Sequence, residues 1–232
     1  MPSIYSILAI AALALTSTAN PIPTPGNLKN LLQRKTVATL PVSSASTTQL
    51  PPPSAGLQLK HVTLGRGIQN YTCTPGVAVP VAQGAVATLF DITPLALYSP
   101  SSPLLTYLPA LAVYQKLPTG NAINSVSYPG TDRLVVIGKH FFDAAGTPVF
   151  DLHTTGEMFM GKKIGQVSPP SDAASGPAGT GAVLWLKLDD KGGSKGLKEV
   201  YRVVTAGGNP TAVCKKPGVF SIEYATEYWF YG

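Results

Sequence analysis

The alternation of apolar and polar positions is clearest at the end of the chain. Between residues 219 and 231, Phe220, Ile222, Tyr224, Tyr228 and Phe230 fall on one face of an extended segment, and Ser221, Glu223, Ala225, Glu227, Trp229 and Tyr231 on the other. A period of two marks a strand, whose successive side chains point to opposite sides. Shorter runs of similar character recur upstream, at residues 57–64, 68–73, 84–91, 133–138, 149–152, 183–188 and 197–205. Most are rich in β-branched or aromatic residues and bounded by Gly, Pro or Asp. Residues 104–114 are apolar around an internal Pro109 and read as a short helix or lid near 103–114. The pattern predicts an all-β domain, a single antiparallel β-sandwich or barrel of roughly eight to ten strands.

The N-terminal quarter follows different rules. Residues 1–19, MPSIYSILAIAALALTSTA, contain an apolar run at 7–15. That is too short for a bilayer, which needs about 20 residues. With the small residues Ser17 and Ala19 before the expected cut, the stretch reads as a secretory signal peptide, although it lacks Lys or Arg. The competing reading is a buried N-terminal helix. Residues 20–54 hold PIPTP, SSASTTQ and PPPS. Such composition buries little apolar surface, so the stretch is expected to be an exposed lead-in or propeptide, with Arg34-Lys35 as a candidate processing site. The β-rich domain is then 55–232. No later segment is long and apolar enough to span a membrane, so no membrane association is expected after signal cleavage.

Composition changes this picture modestly. The chain holds 23 Gly and 22 Pro, only 12% charged residues, and a formal charge of +6. The basicity suits an anionic wall polysaccharide. It does not suit nucleic acid, because Lys187, Asp189, Asp190, Lys191, Lys195, Lys198 and Glu199 interleave the two signs and read as a solvated surface. The two cysteines are Cys73 and Cys214. In an oxidising compartment one bridge between them is the default, worth roughly 4–5 kcal/mol by loop entropy. Two buried thiols or an intermolecular bridge are the alternatives.

Motifs that carry chemistry are sparse. Gly65-Arg66-Gly67 opens like a dinucleotide fingerprint, but the third glycine and the following helix are missing. A tight turn or bulge between two strands is the expectation there. His140, Asp151 and His153 are a candidate metal set, with surface or hydrogen-bonded histidines as the plain reading. The carboxylate pairs Glu223/Glu227 and Asp151/Glu157 are the candidates for glycoside hydrolysis. Glu223 and Glu227 would stand about 13 Å apart along a strand, too far for either mechanism, and read as solvent-face charges. Trp229 and Tyr231 share their face. They read either as a platform for stacking on sugar rings or as an aromatic second core. Asn70-Tyr71-Thr72 is an N-glycosylation sequon within a predicted strand, whereas Pro210 spoils the one at Asn209.

The segments LKHVTLGRGIQNYTC, GAVATLFD, GKHFFDAAGTPVFDL, VLWLKL, YRVVTAGGNPTAVC and EYATEYWFY occur here in that order. As an ordered set they resemble domain-of-unknown-function family 3455, a family of secreted fungal proteins whose members are often labelled malate dehydrogenase. The resemblance covers roughly residues 50–231. It implies a secreted, single-domain, β-rich protein with Cys73 and Cys214 bridged, and it carries no catalytic residue over to this chain. The dehydrogenase label conflicts with the sequence, which lacks a complete fingerprint and a βαβ rhythm. No such activity and no cofactor are expected.

Three functions remain open. The leading expectation is a non-enzymatic protein, secreted, extracellular or in the cell wall, binding wall polysaccharide or matrix through Trp229 and Tyr231 with Arg66 and His140. The second is an extracellular hydrolase or metal-dependent enzyme around His140, Asp151 and His153. The third is a small-ligand carrier, if the strands close around an apolar cavity. The sequence fixes neither ligand nor oligomeric state.

Overall fold

The alternating segment at the chain end is strand β9 (Gly218–Tyr231). It pairs antiparallel with β1 (Leu59–Cys73) on one side and β8 (Glu199–Gly207) on the other. These strands belong to a computed structural model that describes residues 38–98, 103–118, 125–127, 131 and 133–232. From β8 the sheet runs through β7 (Trp185–Asp190), β6 (Glu157–Val167), β5 (Pro148–Leu152) and β4 (Leu134–Phe142). On the other side β1 pairs with β2 (Val81–Asp91), and β2 pairs with β4, which closes the sheet on itself. The result is an antiparallel barrel of eight strands, with the two-residue β3 (Ser125–Val126) added beside β4. Closure removes the unpaired backbone that an open sheet would present at its edges. Of the two architectures expected, the barrel is the one formed. The expected short helix is α2 (Pro103–Ala112), preceded by the single turn and a half of α1 (Thr93–Tyr98).

Both faces of β9 are buried, and this splits the core in two. Tyr224, Tyr228 and Phe230 point into the barrel, where they meet Leu89, Phe150, Phe159 and Val200. Ala225, Trp229 and Tyr231 point outward into a second core with Val62, Leu64, Phe90, Tyr201 and Leu108 of α2. The aromatic second core is therefore the reading that the structure supports for this face.

The outer core is roofed partly by residues expected to be exposed. Ala38, Leu40, Leu50 and Leu57 pack against it. Ser43 is buried and its hydroxyl donates to the Ser168 carbonyl at 2.6 Å. The Tyr201 hydroxyl donates to the Pro51 carbonyl at 2.8 Å, and Lys187 Nζ to the Pro52 carbonyl at 3.1 Å. Ser54 donates through both its amide and its hydroxyl to the Glu199 carboxylate. Residues 38–54 thus form a strap, correcting the expectation of an unpacked lead-in. Proline lacks an N–H but keeps its carbonyl, so a proline-rich strand can still accept from buried donors. The same contacts correct Lys187, expected in the solvated mixed-charge surface but buried against Glu199 at 3.2 Å. The signal-peptide reading of 1–19 and the Arg34-Lys35 site lie outside the described residues.

Two element expectations also change. Gly65-Arg66-Gly67 does not separate strands, because β1 runs unbroken for 15 residues. Its glycines are required by close approach instead. A Cβ on Gly65 would lie 2.4 Å from the Tyr228 ring, and one on Gly67 would lie 1.9 Å from the Val86 carbonyl oxygen. Strand β6, EMFMGKKIGQV, was not anticipated, since its alternation is interrupted by two glycines and paired lysines. The expected disulfide joins Cys73 at the end of β1 to Cys214 before β9.

Candidate functional site in the barrel mouth

The inward positions of the barrel do not fill it to both ends. At the end nearest the β4–β5 turn they leave a cavity of about 650 Å³. Phe150, Leu186, Leu188 and Tyr228 form its apolar wall and floor, while Phe159 and Phe230 pack the lumen beyond. His140 of β4 stands in this mouth. Its ring stacks on Phe150 with centroids 4.0 Å apart and planes at 10°, and meets Tyr228 edge-on at 5.6 Å. Phe142 adds a fourth ring, 5.5 Å from His140.

Hydrogen bonding fixes the chemistry of the imidazole. Nδ1 donates to the Val149 carbonyl at 2.9 Å, which leaves Nε2 with a lone pair. Burial pulls the pKa of His140 down to about 4, and the nearby Arg202 charge pulls the same way against the Val149 bond. The ring is neutral at pH 7. The Tyr224 and Tyr228 hydroxyls lie 2.9 Å apart deep in the barrel, and burial raises both phenols, so they too are neutral.

Charge in the mouth has one sign. Arg202, on the inward face of β8 with Val200, donates from Nε and Nη2 to the Leu184 carbonyl at 3.2 and 2.9 Å. Its field opposes the burial effect on Tyr71, Tyr224 and Tyr228, which places the guanidinium among them. Lys162, Lys163 and Lys191 stand around the opening. Lys163 donates to Gln166 and Lys191 to Thr147, each at 2.8 Å, and the Lys191 charge also reaches Asp143 in the turn. Among the described residues no Asp or Glu lines the cavity. The nearest acid in sequence, Asp143, accepts instead from the Ala145 and Thr147 amides within the turn. Gln69 lines the mouth from β1, and its buried Nε2 lies beside the Tyr224 hydroxyl without a well-formed hydrogen bond.

Only His140 of the expected contact residues belongs to this mouth. Trp229 is 0% and Tyr231 7% exposed, so neither offers a face to a sugar ring. The outer core and strap cover them, which corrects the exposed-platform expectation. Arg66 is also fully buried. It donates to the carbonyls of Gly67, Tyr224 and Gln115 and pairs with Glu223, tying β1 and β9 to the segment after α2. Glu227, expected at the solvent face, is fully buried and accepts from Trp229 Nε1 at 2.8 Å.

The proposed metal set does not assemble. Asp151 alternates with Phe150 and Leu152 and so faces away from the lumen that holds His140, and His153 is exposed beyond the end of β5. No group of three His, Cys, Asp or Glu side chains positioned for a metal occurs among the described residues. Glu157, proposed as a partner for Asp151, instead meets His61 Nε2 at 2.5 Å. Asn70 is half-buried on β1 and its side-chain oxygen accepts from Ser221.

Sequence reasoning did not single out Arg202, Gln69, Tyr228 or the three rim lysines as a group. Parity along β8 does put Arg202 on the face of Val200. That face looks no more inward than its opposite, because Tyr201 and Val203 are equally buried in the outer core.

Residues 53–232 match the family model described as "Protein of unknown function (DUF3455)". No curated protein and no solved structure matches the chain. The chain belongs to this family of proteins of unknown function.

Proposed function

We propose that this family member is a small-ligand carrier that holds its cargo in the barrel mouth. The observation that carries the reading is the closed barrel with a cavity of about 650 Å³, walled by four aromatic rings and open at one end. Cavities of that size, mostly apolar with a few placed polar groups, are the usual form of a small-molecule site. A binder is favoured over an enzyme because, among the described residues, no Asp, Glu, Ser or Cys lines the mouth to act with His140. It is favoured over a wall-binding protein because the aromatic strip that reading needs is buried. The disulfide, and the lack of a helix long and apolar enough to cross a membrane among the described residues, accord with a secreted carrier.

The test is titration with a neutral, environment-sensitive dye, N-phenyl-1-naphthylamine. Its emission is expected to rise on binding wild type. Ala82 is exposed and lines the opening, so Ala82→Trp should narrow the entrance and weaken binding without disturbing the fold. A folded Ala82→Trp that binds the dye as well as wild type, or a wild type that binds none, overturns the reading.

A further inference from the structure

We infer that the ligand taken by the barrel mouth is a planar aromatic acid, oriented with its ring on the His140–Phe150 wall and its carboxylate toward Arg202. The inference rests on the carrier reading and narrows it to a ligand class.

Three independent features of the mouth converge. The first is shape. His140 and Phe150 lie nearly parallel, and Tyr228 and Phe142 turn their rings toward that stack. Aromatic faces and edges in this arrangement favour a flat ring over a flexible chain, since offset-stacked and edge-to-face contacts add to the area buried.

The second is charge. Arg202 is half-buried in the mouth and forms no ion pair among the described residues. A carboxylate partner would be expected for a guanidinium so placed, as for Arg66 with Glu223 on the other side of β1. Its Nε–H and one Nη2–H go to the Leu184 carbonyl and it also hydrogen-bonds the Tyr228 hydroxyl, which leaves two of the five guanidinium N–H groups for a carboxylate. Lys162, Lys163 and Lys191 reinforce the potential at the opening with no acid among the lining residues. A mouth of one sign concentrates ligands of the other.

The third is an unmet hydrogen bond. The Gln69 Nε2 is buried beside the Tyr224 hydroxyl and makes no well-formed hydrogen bond there. Buried polar groups are normally paired, so such an amide nitrogen marks a place where an acceptor belongs. A carboxylate carries more acceptor positions than the guanidinium alone would use.

The experiment is displacement of bound N-phenyl-1-naphthylamine by 2-naphthoate and by its neutral isostere 2-naphthamide, from the full-length oxidised protein. The acid should displace the dye at a concentration about ten-fold lower than the amide. The ratio should shrink as salt is raised. Arg202→Gln should bring the ratio close to one with little change for the amide, and Arg202→Lys should keep part of the preference. Equal competition by acid and amide overturns the inference while leaving the carrier reading intact. A preference that survives in Arg202→Gln overturns the role of Arg202. If wild type does not bind the dye, the carrier reading itself fails. Should Arg202→Gln not fold, the acid-to-amide ratio of wild type and its salt dependence still decide the ligand class.

Discussion

Glu227 and His140 are buried and neutral on opposite sides of the barrel wall, and their titrations oppose one another. Burial pushes the Glu227 carboxyl up to about 8, against the smaller effect of the Trp229 N–H. A raised carboxyl favours the native state fully below its unfolded pKa of about 4.5, and this contribution fades as pH rises toward 8. His140 is lowered from 6.5 to about 4. Its contribution is complete above 6.5 and is lost as pH falls toward 4. Between about 4.5 and 6.5 the two slopes cancel, and above 6.5 only that of Glu227 remains. Stability measured by urea unfolding is therefore expected to be level from about pH 4.5 to 6.5 and to fall by roughly 2 kcal/mol by pH 8. In Glu227→Gln the fall above 6.5 should vanish. A slope that survives the substitution would show that another group sets it. Neither burial was legible in the sequence, where Glu227 looked like a solvent-face charge. Alternation assigns a residue to a face, but not what covers that face.

The elements show what periodicity can and cannot deliver. Strand β9 was legible because it alternates cleanly, and α2 because 104–114 is apolar and too long for the turns around it. Strand β1 was read as two pieces, since glycine ordinarily marks a turn. Here glycine is demanded by neighbours across the sheet. Gly67→Ala would push a methyl group into the β2 backbone, and Gly65→Ala would press on the Tyr228 ring. Each is expected to cost roughly 1–3 kcal/mol, Gly67→Ala the more because backbone yields less than a ring edge. Gly165→Ala, whose nearest neighbour would be 3.5 Å away, is the control and should change the urea midpoint little. The strap yields a second prediction. A chain beginning at residue 55 lacks the Pro51, Pro52 and Ser54 groups that satisfy Tyr201, Lys187 and Glu199. It should unfold at distinctly lower urea than the full-length protein and bind a surface-sensitive hydrophobic dye outside the mouth. Equal midpoints would mean that the strap is dispensable. The strap's role was hidden because low apolar content predicts a lack of packing, whereas its contribution runs through backbone acceptors.

At the scale of the molecule, closure and cross-linking act on the same chain. The Cys73–Cys214 bridge spans 141 residues, nearly the whole barrel. The double substitution Cys73→Ser with Cys214→Ser should lower unfolding stability by up to roughly 4–5 kcal/mol, mainly by loosening the unfolded chain. Native dye binding in the mouth should be retained. The strand count and the single bridge were within reach of the sequence. The choice of barrel over sandwich was not, because it turns on the pairing of β2 with β4 across 42 intervening residues (92–133), and local pattern is silent on such partners. The mouth was illegible for the same reason, since β1, β2, β4, β5, β6, β7, β8 and β9 each contribute to it. Trp185 and Trp229 both lie in the outer core, while the inner one is lit only by tyrosine and phenylalanine. The protein's indole emission is thus an optical gauge of the outer core beneath the strap and helix. Denaturation followed through indole fluorescence and through release of the bound dye reports two different surfaces of one wall, and any lag between them measures how firmly the barrel holds its shape once its coat is gone.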